Sequence, residues 1–356
     1  MILVVNPGSS SLKFKLFDQD LNIIESKNFA GIGQKIKTHA KAVDLMFDDI
    51  SKYQSEIEKI GYRVVHGGDE VSAPLPVTLP TMKIIEKYAA LAPHHNPAAY
   101  DVIHRAIEKV AFAQHFAVFD TAFFINLPKR TKVYPIDKLL ADEFGIKRFG
   151  FHGISHEYVS NKVDAEKTKK VISIHLGAGC SLAAIDKGIP IDTSMGFTPL
   201  EGVPMRSRSG DLDPSIVLFL VEEIGLKKTR DVIENHCGLA GLTGTSGSML
   251  SILHLADEKV EDNDYVPGLD KSEKNCSKED AKLAIEVFCY RIKKYIGAYA
   301  ASLGGVDVVA FTGQIGSGSS VIRKKILENL DYLNFETEVI EADEELAIAQ
   351  KLSAGL

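Results

Sequence analysis

Two strand–turn–strand segments of similar pattern lie about half a chain apart, and they constrain the fold more than any other feature. The first, VVNPGSSSL, places Pro7-Gly8 and three serines between apolar, β-type runs. The second, SIHLGAGCSLAAIDKG at 173–188, repeats the order of strand, polar residue, glycine turn, Ser-Leu and strand. Duplication would give two related domains that each present a glycine turn to one cleft, a usual place for a ligand. A chance match between two short segments is the alternative.

The chain length and the order of predicted elements also indicate two α/β domains. A chain of 356 residues is too long for one ordinary core. Strand-like runs such as KVISIHL and VDVVAFTG alternate with helical patterns. Asp213-Pro214 predicts the start of a helix over SIVLFLVEEIG. Ser277 predicts the start of a long amphipathic helix that ends at Gly304-Gly305.

Composition excludes several classes of function. The net charge of −7 argues against a general affinity for nucleic acid or anionic membranes, so any phosphate site must be a local arrangement. The four cysteines have no C-x-x-C spacing, which indicates neither a disulfide framework nor zinc and predicts a reducing cytoplasm. We expect no signal peptide, and no transmembrane helix because Glu222 interrupts the apolar run SIVLFLVEEIG.

The polar segment 257–280 is weakly patterned and long for a connection inside a compact domain. It predicts a mobile surface excursion, and an interaction segment is the alternative.

Glycine-rich turns are the first candidates for chemistry. A Gly/Ser turn between strands exposes backbone N–H groups, which suits a phosphate, although a plain hairpin turn would have the same composition. A third such segment, FTGQIGSGSS at 311–320, follows a strand and precedes the helical VIRKKILENL. That order predicts a glycine loop with N–H groups at a helix N-terminus, where anions bind. It matches neither a Walker A loop nor the dinucleotide fingerprint.

Polar side chains set in glycine- or proline-rich turns are the second group of candidates. They are Arg63 in RVVHGG, His94 and His95 in APHHNP, Asp120 in VFDTAF, His152 and His156 in RFGFHGISH, and Arg206 and Arg208 in MRSRSGDLD. Plainer interpretations are hydrogen-bonded turn histidines and arginines paired with Asp211 or Asp213. A zinc site at the two histidines of RFGFHGISH is disfavoured, because no glutamate follows the first and Gly153 weakens a helix.

Taken together and in order, these motifs resemble the acetate kinase family from residue 2 to about 350. The ordered motifs are NPGSSSLKF, RVVHGG, APHHNP, VFDTAF, RFGFHGISH, HLGAGCS, PLEGVPMRSRSGDLDP, FTGQIGSGSS and ADEELAIA. The resemblance implies a fold of two duplicated actin-like (ribonuclease H-like) α/β domains around a central cleft. It also implies a homodimer and reversible phosphoryl transfer between ATP and acetate, giving acetyl phosphate and ADP, with Mg²⁺ or alternatively Mn²⁺. The implied domains are 1–127 and the nucleotide-binding 128–344, with helix 345–356 packed back on the first.

The resemblance also implies roles for single residues. Asn6 and Glu344 would hold the metal, and Lys13 would approach the nucleotide phosphates. Arg63 and His95 would bind the acetate or acetyl phosphate. Asp120 occupies the family's acid/base position, but a carboxylate acceptor has no proton to lose, which favours a steering role. His152 and Arg208 would stabilise the transferring phosphoryl group. The nucleotide would contact His175, Leu176, Gly177, Ala178, Gly179, Gln314, Ile315, Gly316, Ser317 and Gly318.

Departures from the family pattern cluster on the nucleotide side. Ala178 replaces the usual Asn, Gln314 replaces a glycine, and Ser317-Gly318 replaces Glu-Asn. The family's Asp-x-Arg falls on the uncharged Ser248–Leu250. The Gln314 side chain could crowd the base, so pyrophosphate or another nucleotide is an alternative donor. Repacked loops that still accept ATP are the other possibility.

Three further alternatives stay open. Propionate or butyrate kinase is the nearest, because one methylene changes preference by only about 1–3 kcal/mol. Val65, Leu91 and Pro199 are the predicted lining of the acyl pocket. A non-catalytic acyl phosphate or nucleotide sensor belongs to a different class, and the intact set of charged residues opposes it. A sugar kinase of the same superfamily has no support in the carboxylate-side motifs.

Overall fold

The computed structural model describes residues 1–258 and 276–354. The predicted excursion over 257–280 lies largely outside these residues. The described strands are β1 (Ile2–Pro7), β2 (Ser11–Phe17), β3 (Ile23–Ala30), β4 (Lys59–Val64), β5 (Leu75–Pro76), β6 (Gln114–Phe119), β7 (Lys170–Leu176), β8 (Cys180–Asp186), β9 (Ile189–Thr193), β10 (Val308–Thr312) and β11 (Glu336–Val339).

The described α-helices are α1 (His39–Asp49), α2 (Leu79–Lys87), α3 (Asn96–Lys109), α4 (Lys129–Lys132), α5 (Lys138–Phe144), α6 (Gly153–Val163), α7 (Pro214–Ile224), α8 (Leu226–Asn235), α9 (Gly238–Thr243), α10 (Met249–Leu255), α11 (Lys278–Leu303), α12 (Gly313–Gly318), α13 (Ser320–Leu327) and α14 (Glu344–Ser353). Short 3₁₀ segments lie at Ser51–Glu56, Asp120–Phe124 and Asp331–Leu333. Within these ranges, no helix is long and apolar enough to cross a membrane.

Contacts divide the chain into two compact units. Unit 1 comprises Met1–Ile125, Phe149–Tyr158 and Asp343–Leu356, as far as these are described. Unit 2 comprises Asn126–Arg148 and Val159–Ala342, with the same restriction. The domain boundaries given above stay a prediction.

Unit 1 is built on a six-stranded sheet in the order β3-β2-β1-β4-β6-β5. The N-terminal hairpin predicted from the sequence is confirmed, since β1 and β2 are antiparallel and pair Asn6 with Lys13. The Gly8 N–H donates to the Ser11 carbonyl over 2.8 Å and closes the turn. Strands β4 and β6 run parallel to β1, so the carboxyl ends of three strands meet at one sheet edge.

Both faces of this sheet are covered, which is why β1 is buried along its whole length. Leu3 and Val5 belong to a core that includes residues of α1 and α3, whereas Val4 packs in a second cluster with α14. Burying one such aliphatic side chain contributes about 1.5–3 kcal/mol. Packing of α14 against β4 needs glycine at position 61, because a Cβ there would lie 2.5 Å from Ile348 Cγ2. The C-terminal helix is therefore a part of unit 1.

Unit 2 is built on a five-stranded sheet in the order β11-β10-β7-β8-β9. Strands β7 and β8 form an antiparallel hairpin, β9 adds antiparallel to β8, and β10 and β11 are parallel neighbours on the other side. This repeats the order β3-β2-β1-β4-β6 of unit 1. Both glycine turns thus join equivalent strands, as duplication predicts.

Two helices, α7 and α11, begin at the capping residues that the sequence predicted. The Asp213 carboxylate accepts from the Ser215 N–H at the start of α7. The Ser277 hydroxyl accepts from the Asp280 N–H at the start of α11, which ends at Gly304 in the left-handed conformation. Both predicted helices are confirmed.

The predicted glycine loop at 314–318 is wrong, because these residues form the short helix α12. The Ser317 hydroxyl donates to the Gly313 carbonyl over 2.9 Å. The Arg323 guanidinium donates to the carbonyls of Gly316 and Ser317 at the other end of α12. These side chains satisfy backbone groups that a glycine-rich segment would otherwise expose, and this was not visible in the composition of the segment.

Candidate active site

The carboxyl edge of the unit 1 sheet carries a buried cluster of charges. Arg63 lies near the end of β4, Asn6 near the end of β1, and Asp120 directly after β6. The Arg63 Nη2 donates to Asp120 Oδ2 over 2.8 Å, and its Nη1 donates to Glu344 Oε2 over 2.7 Å. Parallel strands place their carboxyl ends together, which explains why distant motifs meet here. The structure thus brings together four predicted site residues.

Burial and the opposing charges shift the pKa values within this cluster. Burial raises the pKa of Asp120 to about 6, opposed by the Arg63 guanidinium and reinforced by the Glu344 carboxylate. Burial alone would lower the pKa of Arg63, but Asp120 and Glu344 outweigh it and raise that pKa. The guanidinium is a permanent cation that two carboxylates hold in place.

A glutamate that was not predicted as a site residue orients Asn6. Glu345 is 1% exposed, and its Oε1 accepts from Asn6 Nδ2 over 2.7 Å. Asn6 Nδ2 also donates to Glu344 Oε2 over 3.0 Å, so the amide nitrogen faces two carboxylates and Oδ1 is the atom toward Arg63, 3.4 Å from its Nη1. The other Glu345 oxygen lies 3.7 Å from the Nζ of Lys13, whose side chain is 50% exposed. The paired glutamates in ADEELAIA were the only sequence signal for this role.

His66 is a second residue whose position was not predicted. Its imidazole is fully buried and stacks on Tyr88 with 4.7 Å between ring centroids. Phe149 and Phe151 make T-shaped contacts with the same imidazole and complete the packing around it. Because Nδ1 accepts from the Gly68 N–H over 3.1 Å, the neutral ring carries its proton on Nε2.

The backbone of His66 ties the other motifs of unit 1 to this point. The Asn96 side chain accepts from the His66 N–H and donates to its carbonyl, and Asn96 directly follows the partly buried His95. The Gly67 N–H donates to the hydroxyl of Thr121, the neighbour of Asp120. His152 directly follows Phe151. The RVVHGG turn therefore contacts the chain neighbours of three predicted site residues, which are His95, Asp120 and His152.

Gly153, which follows His152, approaches the backbone of Asp120 closely. His152 has a φ of 55°, in the left-handed region, and α6 begins at the next residue. A Cβ on Gly153 would lie 1.9 Å from the Asp120 carbonyl oxygen. Glycine is thus required for this contact, and it begins a helix where the sequence suggested a weakened one. Within residues 1–258 and 276–354, no three His, Cys, Asp or Glu side chains form a metal-binding group.

Unit 2 carries Arg208 on the segment before α7. Its Nη1 donates to the Pro199 carbonyl over 2.8 Å. The alternative pairing with aspartates is not what the structure has, since Asp211 accepts from the Gly202 N–H and Asp213 caps α7. Burial lowers the pKa of the Arg208 guanidinium, and the nearby Cys180 and Glu234 offset this only in part.

The predicted nucleotide residues meet at the carboxyl edge of the unit 2 sheet. The turn after β7 is closed by the Gly177 N–H, which donates to the Gly179 carbonyl over 3.0 Å. Helix α12 follows β10, the parallel neighbour of β7, and a Cβ on Gly313 would lie 2.5 Å from the Leu176 carbonyl oxygen. Ala178 and Gln314 are exposed. The two glycine segments are therefore side by side, and two of their departures from the family pattern, Ala178 and Gln314, face solvent.

Comparison with known proteins agrees with this arrangement. The model of the acetokinase family matches residues 1–351. The chain is 36% identical to acetate kinase of Halothermothrix orenii, with 95% of this chain and 89% of that protein covered. It is also 36% identical to acetate kinase of Staphylococcus aureus, with 94% and 86% covered.

Solved structures extend the comparison to the fold. The crystal structure of Porphyromonas gingivalis acetate kinase matches with a TM-score of 0.85 and 29% identity over 98% of both chains. A propionate kinase from Francisella tularensis matches with a TM-score of 0.85 and 30% identity over 98% of both chains. The predicted class of two actin-like α/β domains is confirmed.

The buried His66 predicts an acid-sensitive fold. Burial lowers the pKa of His66 to about 3, whereas an unfolded chain takes up this proton near pH 6.5. Stability is therefore complete above pH 6.5 and is lost as the pH falls, by about 2 kcal/mol at pH 5. In His66→Gln, whose amide does not titrate, we expect the difference in unfolding free energy between pH 7 and pH 5 to shrink by about that amount. Urea denaturation at both pH values measures it.

The control is His104→Gln, which removes a histidine side chain that is 67% exposed and shows whether the loss of any histidine has the same effect. Identical pH dependence in wild type and His66→Gln would contradict the assignment of a buried neutral imidazole.

Proposed function

The chain belongs to the acetokinase family and is a carboxylate kinase, and from this premise we propose that it is an acetate kinase, which transfers a phosphoryl group reversibly between ATP and acetate. The products would be acetyl phosphate and ADP. The observation that carries the proposal is the buried Arg63 guanidinium between Asp120 and Glu344 at a sheet edge.

Arg63 is proposed to bind the acceptor carboxylate, together with His95. A guanidinium offers paired N–H groups that match the two oxygens of a carboxylate. Asp120 holds the plane of that guanidinium through Nε and Nη2. An acetate acceptor carries no proton to remove, so Asp120 acts by keeping Arg63 oriented. This positioning lowers the entropic part of the barrier.

His152, Arg208 and Lys13 are proposed to face the phosphoryl group during transfer. The transition state spreads negative charge over three equatorial oxygens, and preorganised cations and hydrogen-bond donors stabilise it. Arg208 suits this role because its hydrogen-bond acceptor, the Pro199 carbonyl, is neutral, and a charged phosphoryl oxygen is a stronger acceptor for a guanidinium.

The residues near Arg63 fit a divalent metal. Asn6 Oδ1 and the Glu344 carboxylate are hard oxygen donors, which Mg²⁺ prefers, and Mn²⁺ accepts the same ligands. Mg²⁺ in kinases is usually held by one or two carboxylates and by phosphate oxygens of the substrate. Asn6 and Glu344 would hold the ion, which would neutralise phosphate charge. Glu345 keeps the amide of Asn6 turned so that Oδ1 is the donor atom.

Removing Arg208 tests the proposed chemistry. Loss of one transition-state contact costs about 3 kcal/mol, or roughly a hundredfold in rate. We therefore expect Arg208→Ala to lower kcat for acetyl phosphate formation, measured as hydroxamate, by at least about a hundredfold. The matched control is Arg206→Ala, which removes an exposed arginine from the same segment. Near-wild-type turnover in a folded Arg208→Ala would overturn the assignment.

The hydroxamate assay also distinguishes between acyl groups of the acceptor, and between a kinase and a non-catalytic sensor. Acetate, propionate and butyrate are compared as acceptors, because a propionate kinase is among the similar structures and Val65, Leu91 and Pro199 are the proposed pocket lining. A preference for a longer chain would replace acetate by propionate or butyrate. Absence of product with every pair of acceptor and donor would favour the non-catalytic sensor.

Pyrophosphate is a second candidate donor, favoured by the exposed Gln314 at the start of α12 and by the uncharged Ser248–Leu250. If the Gln314 side chain crowds the base, Gln314→Ala should lower the KM for ATP by about tenfold, the effect of a small steric change in a pocket. The KM for acetate on the same variant is the control. An unchanged ATP KM, already low-millimolar in the wild type, would rule out crowding.

A homodimer is part of the proposal, and α7 is the proposed contact. This helix has no buried residue, although its sequence PSIVLFLVEEI is mostly apolar; Leu218 is 65% exposed and Phe219 58%. Glu222 and Glu223 at its end and Lys227 and Lys228 on α8 are exposed charges of opposite sign. Such a surface is self-complementary about a two-fold axis, which favours a second copy.

We expect the wild type to be a dimer by light scattering and Leu218→Glu to be monomeric, because a buried unpaired charge destabilises an apolar interface. The control is Leu139→Glu on α5, whose leucine is 76% exposed. A monomeric wild type, or a Leu218→Glu variant that stays dimeric, contradicts this interface.

A cytoplasmic location, with neither nucleic acid nor membrane as partner, completes the proposal. The four cysteines of the sequence have no C-x-x-C spacing, which favours a reducing compartment.

A further inference from the structure

One tyrosine hydroxyl closes the turn that precedes Arg208. The Tyr134 hydroxyl accepts from the Phe197 N–H over 2.9 Å and donates to the Glu201 carboxylate. It therefore bridges both ends of the segment 197–201. Burial raises the pKa of Tyr134 far above the physiological range, so the hydroxyl keeps its proton and remains a donor.

The residue at the centre of segment 197–201 accepts a hydrogen bond from Arg208. The carbonyl of Pro199 lies between the two bridged residues and accepts from Arg208 Nη1 over 2.8 Å. A shift of the segment would move this carbonyl and with it the guanidinium. Tyr134 thus acts on Arg208 through one carbonyl.

Surrounding contacts leave the bridge little freedom. Arg148 Nη2 donates to the second oxygen of Glu201, and its Nη1 donates to the Thr193 carbonyl over 2.9 Å. A Cβ on Gly196 would lie 1.9 Å from the Tyr134 hydroxyl and 1.6 Å from Glu201 Oε2. Only glycine fits there, so the backbone packs directly on the bridge.

We propose that Tyr134 is a positioning residue for Arg208, which sets the guanidinium in the orientation that phosphoryl transfer requires. The inference rests on the proposed function, since it needs Arg208 to act on the phosphoryl group. Preorganisation of this kind matters because a donor displaced by about 1 Å can lose about a hundredfold in rate.

Tyr134→Phe tests the proposal with a minimal change. It removes the hydroxyl and keeps the ring, which lies 5.4 Å from the Arg148 guanidinium carbon. We expect kcat to fall by about tenfold to a hundredfold while the KM for acetate changes much less, because Arg63 and His95, the proposed carboxylate-binding residues, lie in unit 1 and only Pro199 of the proposed acyl pocket lies in the affected segment. The control is Tyr299→Phe, whose buried hydroxyl has no hydrogen-bond partner among the described residues. Its kcat is expected to be unchanged.

A double-mutant cycle separates positioning from general loss of structure. If Tyr134 acts through Arg208, then Tyr134→Phe should have no further effect on kcat in the Arg208→Ala background. An equal loss in both backgrounds, or wild-type kcat in Tyr134→Phe, overturns the inference. If Tyr134→Phe does not fold, Glu201→Gln breaks the same bridge from the other side and is put through the same cycle.

Failure of the proposed function gives a different result. In that case the wild type itself would form no acyl phosphate; if only the role of Arg208 is wrong, Arg208→Ala would retain wild-type turnover, whatever Tyr134→Phe does. A large loss in Arg208→Ala beside an unchanged Tyr134→Phe would reject only the positioning role.

Discussion

The pairing of Arg63 with Asp120 and Glu344 is the interaction on which the organisation of unit 1 depends. It joins the ends of two parallel strands to the C-terminal helix, and both carboxylates bind the same guanidinium. Removing one partner of such a buried group leaves an uncompensated charge, which typically costs 3–5 kcal/mol. The same arrangement presents a fixed cation at a sheet edge. The stability of unit 1 and the proposed binding of an anion therefore rely on one set of contacts.

The two candidate arginines differ in the charge of their partners, and this difference suits different tasks. Arg63 is surrounded by carboxylates, which raise its pKa, so the proposed acceptor would meet a cation whose orientation is already fixed. Arg208 donates to a neutral carbonyl, and burial lowers its pKa. The nearby Cys180 and Glu234 offset this shift only in part. In the proposed mechanism a phosphoryl group in transfer would bring negative charge to this guanidinium, and stabilising that charge in the transition state would speed the reaction.

Much of the site could be predicted because its residues lie in turns with distinctive composition. Glycine turns after β1 and β7, and polar residues at the ends of β4 and β6, were visible as short motifs. The roles of Glu345, His66 and Tyr134 were not, since each depends on partners far away in the sequence. Helix α12 was also missed, because side chains from α12 and α13 satisfy its backbone. The amino-acid composition shows that a glycine segment has conformational freedom, but it does not show which contacts restrict that freedom.

The sequence by itself determined the α/β class, the order of the motifs, several helix ends and the kinds of side chain available for phosphoryl transfer. These follow from local periodicity, from capping and from the residues that turns require. The tertiary structure decided which motifs meet, that the amide oxygen of Asn6 and not its nitrogen faces Arg63, and which carbonyl accepts from Arg208. Such choices depend on parallel pairing of distant strands and on burial, where a polar group must find a specific partner. The local sequence around a buried polar group does not identify the distant residue that becomes its partner.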